Sequence, residues 1–156
     1  MVLDLSSYLR RSLRWYVGQG EEVMTAIEIL DDGDYSCVVV KNNELKHAAC
    51  GRGIRPLLNL YKENAGDLEG SCVADKIIGK AAASVLICAK IKEAYGKCMS
   101  RRGLELLEQH GIKAEYGTLV EEIHNMTGTD MCPMENLVKD IDNLEDAVAT
   151  LIEFLK

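Results

Sequence analysis

Three short segments of this chain concentrate the residue types that do chemistry. The first is Cys50-Gly51-Arg52-Gly53-Ile54-Arg55-Pro56, where an apolar run turns into a helix. Its glycines let backbone N–H groups approach a ligand, and a helix start favours an anion. Arg52, between Gly51 and Gly53, adds a charged fork. The run is not a Gly-x-Gly-x-x-Gly dinucleotide fingerprint, because Pro56 stands at the last glycine. The second is Ser71-Cys72-Val73-Ala74-Asp75-Lys76-Ile77-Ile78-Gly79-Lys80-Ala81. Asp75 and Lys76 set an acid beside an amine, and a lysine on an apolar face can serve as base or nucleophile. A P-loop is excluded, since Ala74 replaces the first glycine and Ala81 the Ser/Thr after Gly79-Lys80. The third is Thr127-Gly128-Thr129-Asp130-Met131-Cys132-Pro133-Met134-Glu135. Pro133 suits a first helical position, which makes Cys132 the N-cap. Its sulfur would face free N–H groups, an arrangement that favours a thiolate. Glu135 would be the acid of a capping arrangement, and His124 is the base nearest in sequence. Each segment also has a plain structural reading. Asp75 would complement a helix dipole, Lys80 would snorkel to the surface, and the Cys132 thiol would do nothing.

Metal ligation has little support. The six cysteines, at 37, 50, 72, 88, 98 and 132, include no Cys-x-x-Cys pair. His47 and Cys50 fall on opposite faces of a strand and cannot easily share an ion. Cys37, Cys72, Cys88 and Cys98 lie in apolar runs and read as small core residues. No metal and no cofactor are expected.

Charge narrows the partners. The formal net charge is −7, with 25 acidic residues against 18 basic ones. Such a chain repels a polyanion unless its cations cluster, which argues against nucleic acid. No apolar run reaches membrane-spanning length, and the polar start Leu3-Asp4-Leu5-Ser6-Ser7 lacks a secretory core. With free thiols, this points to the cytoplasm. The implied partner is a small molecule, and the charge suits a monomer or a homodimer.

The elements that must hold these residues follow from periodicity. Apolar residues make up 47% of the chain and aromatics 5%, so aliphatic side chains must fill the core. Residues 1–20 read as a helical extension with Leu5, Leu9 and Leu13 on one stripe, carrying Arg10, Arg11, Arg14 and Trp15. A helix over Glu21–Leu30 precedes a hairpin of Tyr35–Val40 and Leu45–Cys50, turned by Lys41-Asn42-Asn43-Glu44. A helix over Ile54–Glu63 comes next. The longest helix is expected over Ser71–Ile91, with Val73, Ile77, Ala81, Val85 and Ala89 on one stripe. Strands over Glu93–Met99 and Ile112–Tyr116 flank a helix over Arg101–His110. Helices over Leu119–Asn125, Pro133–Ile141 and Leu144–Leu155 close the chain. A hairpin followed by strand–helix–strand crossovers implies an α/β fold with a mixed sheet.

Four strings resemble a bacterial and archaeal family of domains of unknown function. They are Tyr35-Ser36-Cys37-Val38-Val39-Val40, Gly51-Arg52-Gly53-Ile54-Arg55-Pro56-Leu57-Leu58, the run from Val73 to Ala83, and Cys132-Pro133-Met134-Glu135. The resemblance covers about Glu21 to Lys156. It implies a three-layer α/β/α sandwich similar to the cytidine-deaminase-like superfamily. Deaminases of that fold place His-x-Glu or Cys-x-Glu at the start of the helix after the hairpin, and Pro-Cys-x-x-Cys at the next strand-to-helix junction. Here those junctions are expected at Ser71–Lys76 and at Cys98–Arg102, and neither carries the zinc motif. The resemblance implies a cleft between the two helix starts, bordered by Cys98 and Ser100. The expected function is binding of a small anionic or nucleotide-like ligand in a metal-free cleft. Asp75 would accept hydrogen bonds, Lys76 and Arg52 would neutralise the anion, and Ser100 would donate. The alternatives are an enzyme with Cys132 as nucleophile and a non-catalytic interaction module.

Overall fold

A computed structural model describes residues 22–125 and 127–156. The expected extension at residues 1–20 lies outside the described residues. The elements are α1 (Glu22–Asp32), β1 (Cys37–Lys41), β2 (Glu44–Ala49), α2 (Arg55–Glu63), α3 (Ala65–Leu68), β3 (Cys72–Ile78), α4 (Lys80–Cys88), β4 (Glu93–Ser100), α5 (Arg101–Gln109), β5 (Lys113–Val120), α6 (Pro133–Val138) and α7 (Leu144–Phe154). Among the described residues, no helix is long and apolar enough to cross a membrane.

The five strands form one mixed sheet in the order β2-β1-β3-β4-β5. β1 is antiparallel to both β2 and β3, while β3, β4 and β5 run parallel. The β1–β2 turn places Asn42 and Asn43 at φ values of 50° and 66°. Asparagine tolerates that left-handed region, and two such residues in succession give the backbone twist a tight hairpin needs.

Two cores lie on the two faces of the sheet, which makes three layers. On one face, Ala26, Ile29 and Leu30 of α1 pack against Val38, Val40 and Ala74. On the other, α2 and α4 to α7 bury Leu57, Val85, Leu107, Val138 and Leu151 against Val39, Val73 and Ala94. The strand–helix–strand crossovers β3–α4–β4 and β4–α5–β5 carry their helices on this second face, as parallel neighbours require.

The expected long helix over Ser71–Ile91 is instead a strand, a glycine and a shorter helix. Cys72–Ile78 is the central strand, and Lys80–Cys88 is the helix. Cys72, Val73 and Ala74 are all buried. A strand covered on both faces shows no alternation, so its apolar positions fit a helical stripe as easily. Gly79 is where the period changes. Near the C-terminus, β5 runs through Val120, and residues 121–125 are not helical, contrary to the expected helix over Leu119–Asn125. His124 instead forms an antiparallel bridge with Met131.

Candidate functional site

Placing Asp75 and Lys76 in a strand decides their fates. Consecutive strand residues point to opposite faces. Asp75 lies opposite Cys37 in the antiparallel register and is buried. Lys76 is exposed, and its ammonium sits 3.9 Å from Asp34. Lys76 therefore lies outside the cleft that Asp75 lines, and a surface ion pair of that length contributes little.

Asp75 opens on a cleft of about 350 Å³ at the C-terminal end of β3. The cleft is walled mainly by apolar groups, among them Ile54, Ala81, Ala82, Ile123 and Met134. Its polar lining comes from Asp75, His124, Asn125, Cys132 and Glu135, with the backbone at Gly53 and Gly79. The cleft thus joins the start of α2, the start of α4 and the start of α6. Asp75 Oδ1 accepts the Ile77 N–H at 3.1 Å. Burial pushes the Asp75 carboxyl up to about 7, against opposing hydrogen bonds from Ile77, Cys37 and Lys76. Near neutral pH it can therefore accept or donate a hydrogen bond.

Cys132 is the N-cap of α6, as its neighbour Pro133 implied, and its side chain makes no capping hydrogen bond. Its N–H donates to the Ile123 carbonyl at 2.8 Å, which holds Cys132 beside the strand-like segment that carries His124. His124 lies 3.3 Å from Glu122. Burial pushes the Cys37 thiol far up and the Cys72 thiol up to about 12, and burial also raises Cys88.

Glu135 does not cap its own helix. Its two carboxylate oxygens accept the N–H groups of Lys80 and Ala81, each at 2.7 Å, and so cap α4 from across the cleft. An acid at a helix N-terminus meets both the free donors and the dipole. Gly79 makes this possible, because a Cβ there would overlap Glu135 Oε1. Gly103 continues the close packing: a Cβ there would lie 3.1 Å from the carbonyl oxygens of Ile78 and Gly79. Sequence reasoning saw the acid but not its partner, since residues 55 apart give no local signal.

The ligand-binding candidates divide. Gly53 lines the cleft. Gly51 has φ 141° and accepts the Ser36 hydroxyl at 2.5 Å, so it shapes the turn. Arg52 is exposed and outside the cleft lining. Ser100 is the N-cap of α5, with its hydroxyl accepting from the Gly103 N–H at 3.0 Å. It faces a neighbouring pocket with Lys80 and Arg102. His47 pairs with Asp67 at 2.9 Å, not with Cys50, and this bond holds the Asp67 carboxyl below its usual range.

The model of the domain of unknown function DUF1893 matches residues 25–155. The chain belongs to the DUF1893 family. A DUF1893 family protein from Thermotoga maritima, known as a crystal structure, is 28% identical, with a TM-score of 0.79. That match covers 86% of this chain and 90% of the other. More distant likenesses include a diaminohydroxyphosphoribosylaminopyrimidine deaminase/5-amino-6-(5-phosphoribosylamino)uracil reductase from Thermotoga maritima. It is 19% identical with a TM-score of 0.45, over 62% of this chain and 35% of that one. A dCMP deaminase from the cyanophage S-TIM5 is 17% identical with a TM-score of 0.41, over 61% and 93%. No curated protein matches the chain in sequence.

Both junctions that the resemblance implied lie elsewhere than expected. The helix after the hairpin is α2, which opens Ile54-Arg55-Pro56-Leu57, not a helix at Ser71–Lys76. The next strand-to-helix junction is Ile78-Gly79-Lys80-Ala81-Ala82-Ala83, not Cys98–Arg102. Neither junction holds a histidine or cysteine, and at the second the backbone N–H groups bind Glu135. The donor set does not fit a zinc ion.

Proposed function

We propose that this DUF1893 protein binds a small nucleobase- or nucleotide-like molecule whose ring occupies the cleft over Asp75. One observation carries the reading: a buried carboxyl, pushed up to about 7, lining a cleft whose walls are mainly apolar. Apolar walls with a few convergent polar groups suit a flat ring, and a carboxyl poised between two protonation states can match either edge of a heterocycle. Arg52 and Lys76 do not line this cleft, so ring recognition and not charge neutralisation supports the assignment there. Thermal-shift titration with nucleobases, nucleosides and nucleotides tests it. Stabilisation should saturate with ligand and fall sharply in Asp75→Asn. Ligands that stabilise wild type and Asp75→Asn equally, or no stabilising ligand in the set, would refute it.

A second reading, covalent chemistry at Cys132, draws on one specific arrangement. Cys132 and His124 line the same cleft, held together by the His124–Met131 bridge. A thiol and an imidazole on one cleft wall are the components of a nucleophilic pair. Iodoacetamide labelling followed by peptide mass mapping would show Cys132 reacting faster than exposed Cys50, with the gain lost in His124→Asn. Equal labelling rates at the two cysteines would dismiss it.

A further inference from the structure

The chain has a formal charge of −7, yet three of its basic residues line one pocket. That pocket has a volume of about 220 Å³ and lies beside the cleft, with Glu135 lining both. Lys80, Arg102 and Lys139 line it, together with Ser100.

Lys80 is the informative member. Its residue is 4% exposed, and its ammonium donates to the Lys139 carbonyl at 3.1 Å. An ammonium has three donors, and a cation withdrawn from water is costly without an anion. Among the described residues, no carboxylate lies within ion-pair distance of Lys80, Arg102 or Lys139. Burial, with Arg102 nearby, holds the Lys80 ammonium below the usual lysine range, although Asp140, Asp142 and Glu135 act the other way. The acids that share the pocket wall are already engaged. Glu121 pairs with Arg101 at 3.0 Å and Glu122 with His124 at 3.3 Å. Glu135 uses both oxygens on the start of α4.

We propose that this pocket is a binding site for a phosphoryl group, held by the Lys80 and Lys139 ammoniums and the Arg102 guanidinium. A guanidinium fork presents paired donors to a tetrahedral oxyanion, and a compact ammonium adds a point charge. The same chemistry serves a free phosphate or a phosphate monoester. The site stands apart from the ring cleft, because Asp75 does not touch it.

The test is an amide-resolved NMR titration of the full chain with inorganic phosphate and, separately, methyl phosphate. Ionic strength is held constant with sodium chloride. Saturable shifts are expected at the amides of Lys80, Ser100, Arg102 and Gly103, with a Kd of about 1 mM or tighter. Arg102→Gln and Lys139→Gln should each weaken binding about tenfold or more, the loss of one charge-assisted bond. Lys80→Met keeps the buried stem, removes the ammonium and should weaken binding at least as much. Lys46→Gln, on the hairpin, should leave the affinity unchanged, and so should Asp75→Asn. The Asp75 variant separates failure of this site from failure of the cleft reading. Methyl phosphate binding as tightly as phosphate would support a monoester ligand, and phosphate binding alone a free ion. Non-saturating shifts with both anions, or equal affinity in wild type, Arg102→Gln and Lys139→Gln, would overturn the proposal.

Discussion

Replacing Asp75 with asparagine should stabilise this protein at alkaline pH and do nothing for it in acid. The native carboxyl is buried and pushed up to about 7, against an ordinary 3.8. Its folded-state value is raised, so the native state holds this proton more tightly than the unfolded chain does. Above about pH 7 both states are ionised and the native state bears the full cost of a buried charge. As pH falls from 7 towards 3.8, the native state takes up the proton first and that cost is relieved. Below 3.8 both states are protonated and nothing further changes. At about 1.4 kcal/mol for each pH unit, the full difference is about 4 kcal/mol. Asparagine carries no charge to bury, and its Oδ1 can still accept the Ile77 N–H that Asp75 accepts at 3.1 Å. The hydrogen bonds to the charged form are already contained in the raised value, so the gain at pH 8 is about 4 kcal/mol, a rise in Tm of roughly 8–16 °C for a domain of this size. Urea unfolding of both proteins at pH 8, 6.5 and 5 measures it, and other titrating groups cancel in the difference. The gap should shrink steadily as pH falls. An Asp75→Asn variant less stable than wild type at pH 8, by an amount that does not change with pH, would refute the reasoning. It would mean that the native carboxylate is adequately solvated.

The knot at the start of α4 gives a second prediction. Glu135→Ala strips the Lys80 and Ala81 N–H groups of their acceptors, at about 1–3 kcal/mol each. Gly79→Ala should cost at least as much, because the new Cβ displaces Glu135 Oε1. Since both changes break one contact, a double-mutant cycle by urea unfolding should show the pair costing far less than the sum. Ser100→Ala removes the cap on the Gly103 N–H and should cost about 1 kcal/mol by the same assay. In the hairpin, Asn43 has φ 66°, and Asn43→Gly should raise Tm slightly, by the equivalent of a few tenths of a kcal/mol. Calorimetry resolves that shift, and a lowered Tm would count against the assigned turn.

The contrast between Cys132 and Asp75 shows which parts of the fold and site were legible in the sequence. Pro133 announces a helix start by local chemistry, and Cys132 duly sits at the N-cap. The Asn42-Asn43 turn was readable in the same way, as a residue type that fits one backbone conformation. Asp75 is different. Val73, Ile77, Ala81 and Val85 recur at helical spacing, and a central strand buried on both faces leaves no alternation to contradict them. That ambiguity moved the helix start from Lys80 to Ser71, and with it the expected deaminase-like junctions. It also made Asp75 and Lys76 partners, when a strand sends one into the cleft and the other to Asp34 at the surface.

What local spacing could not convey at all is the contribution of residue 135. Glu135 is a first-turn acid by position and should, by proximity, serve α6. It serves α4 instead, because the path from β5 returns α6 over the β3–α4 junction. That return has a chemical consequence for both proposed pockets. By occupying the α4 N–H groups with a carboxylate of its own, the protein removes the helix terminus as an anion site. Charge recognition is then left to side chains, Lys80, Arg102 and Lys139, on the far side of Glu135. The Asp75 side keeps its apolar lining. One acid thus divides a surface that would otherwise be a single polar groove into a ring-sized cleft and a cationic pocket. Removing it should merge the two properties: in Glu135→Ala, phosphate titration should perturb the Ala81 amide directly, as the freed α4 terminus takes over the anion.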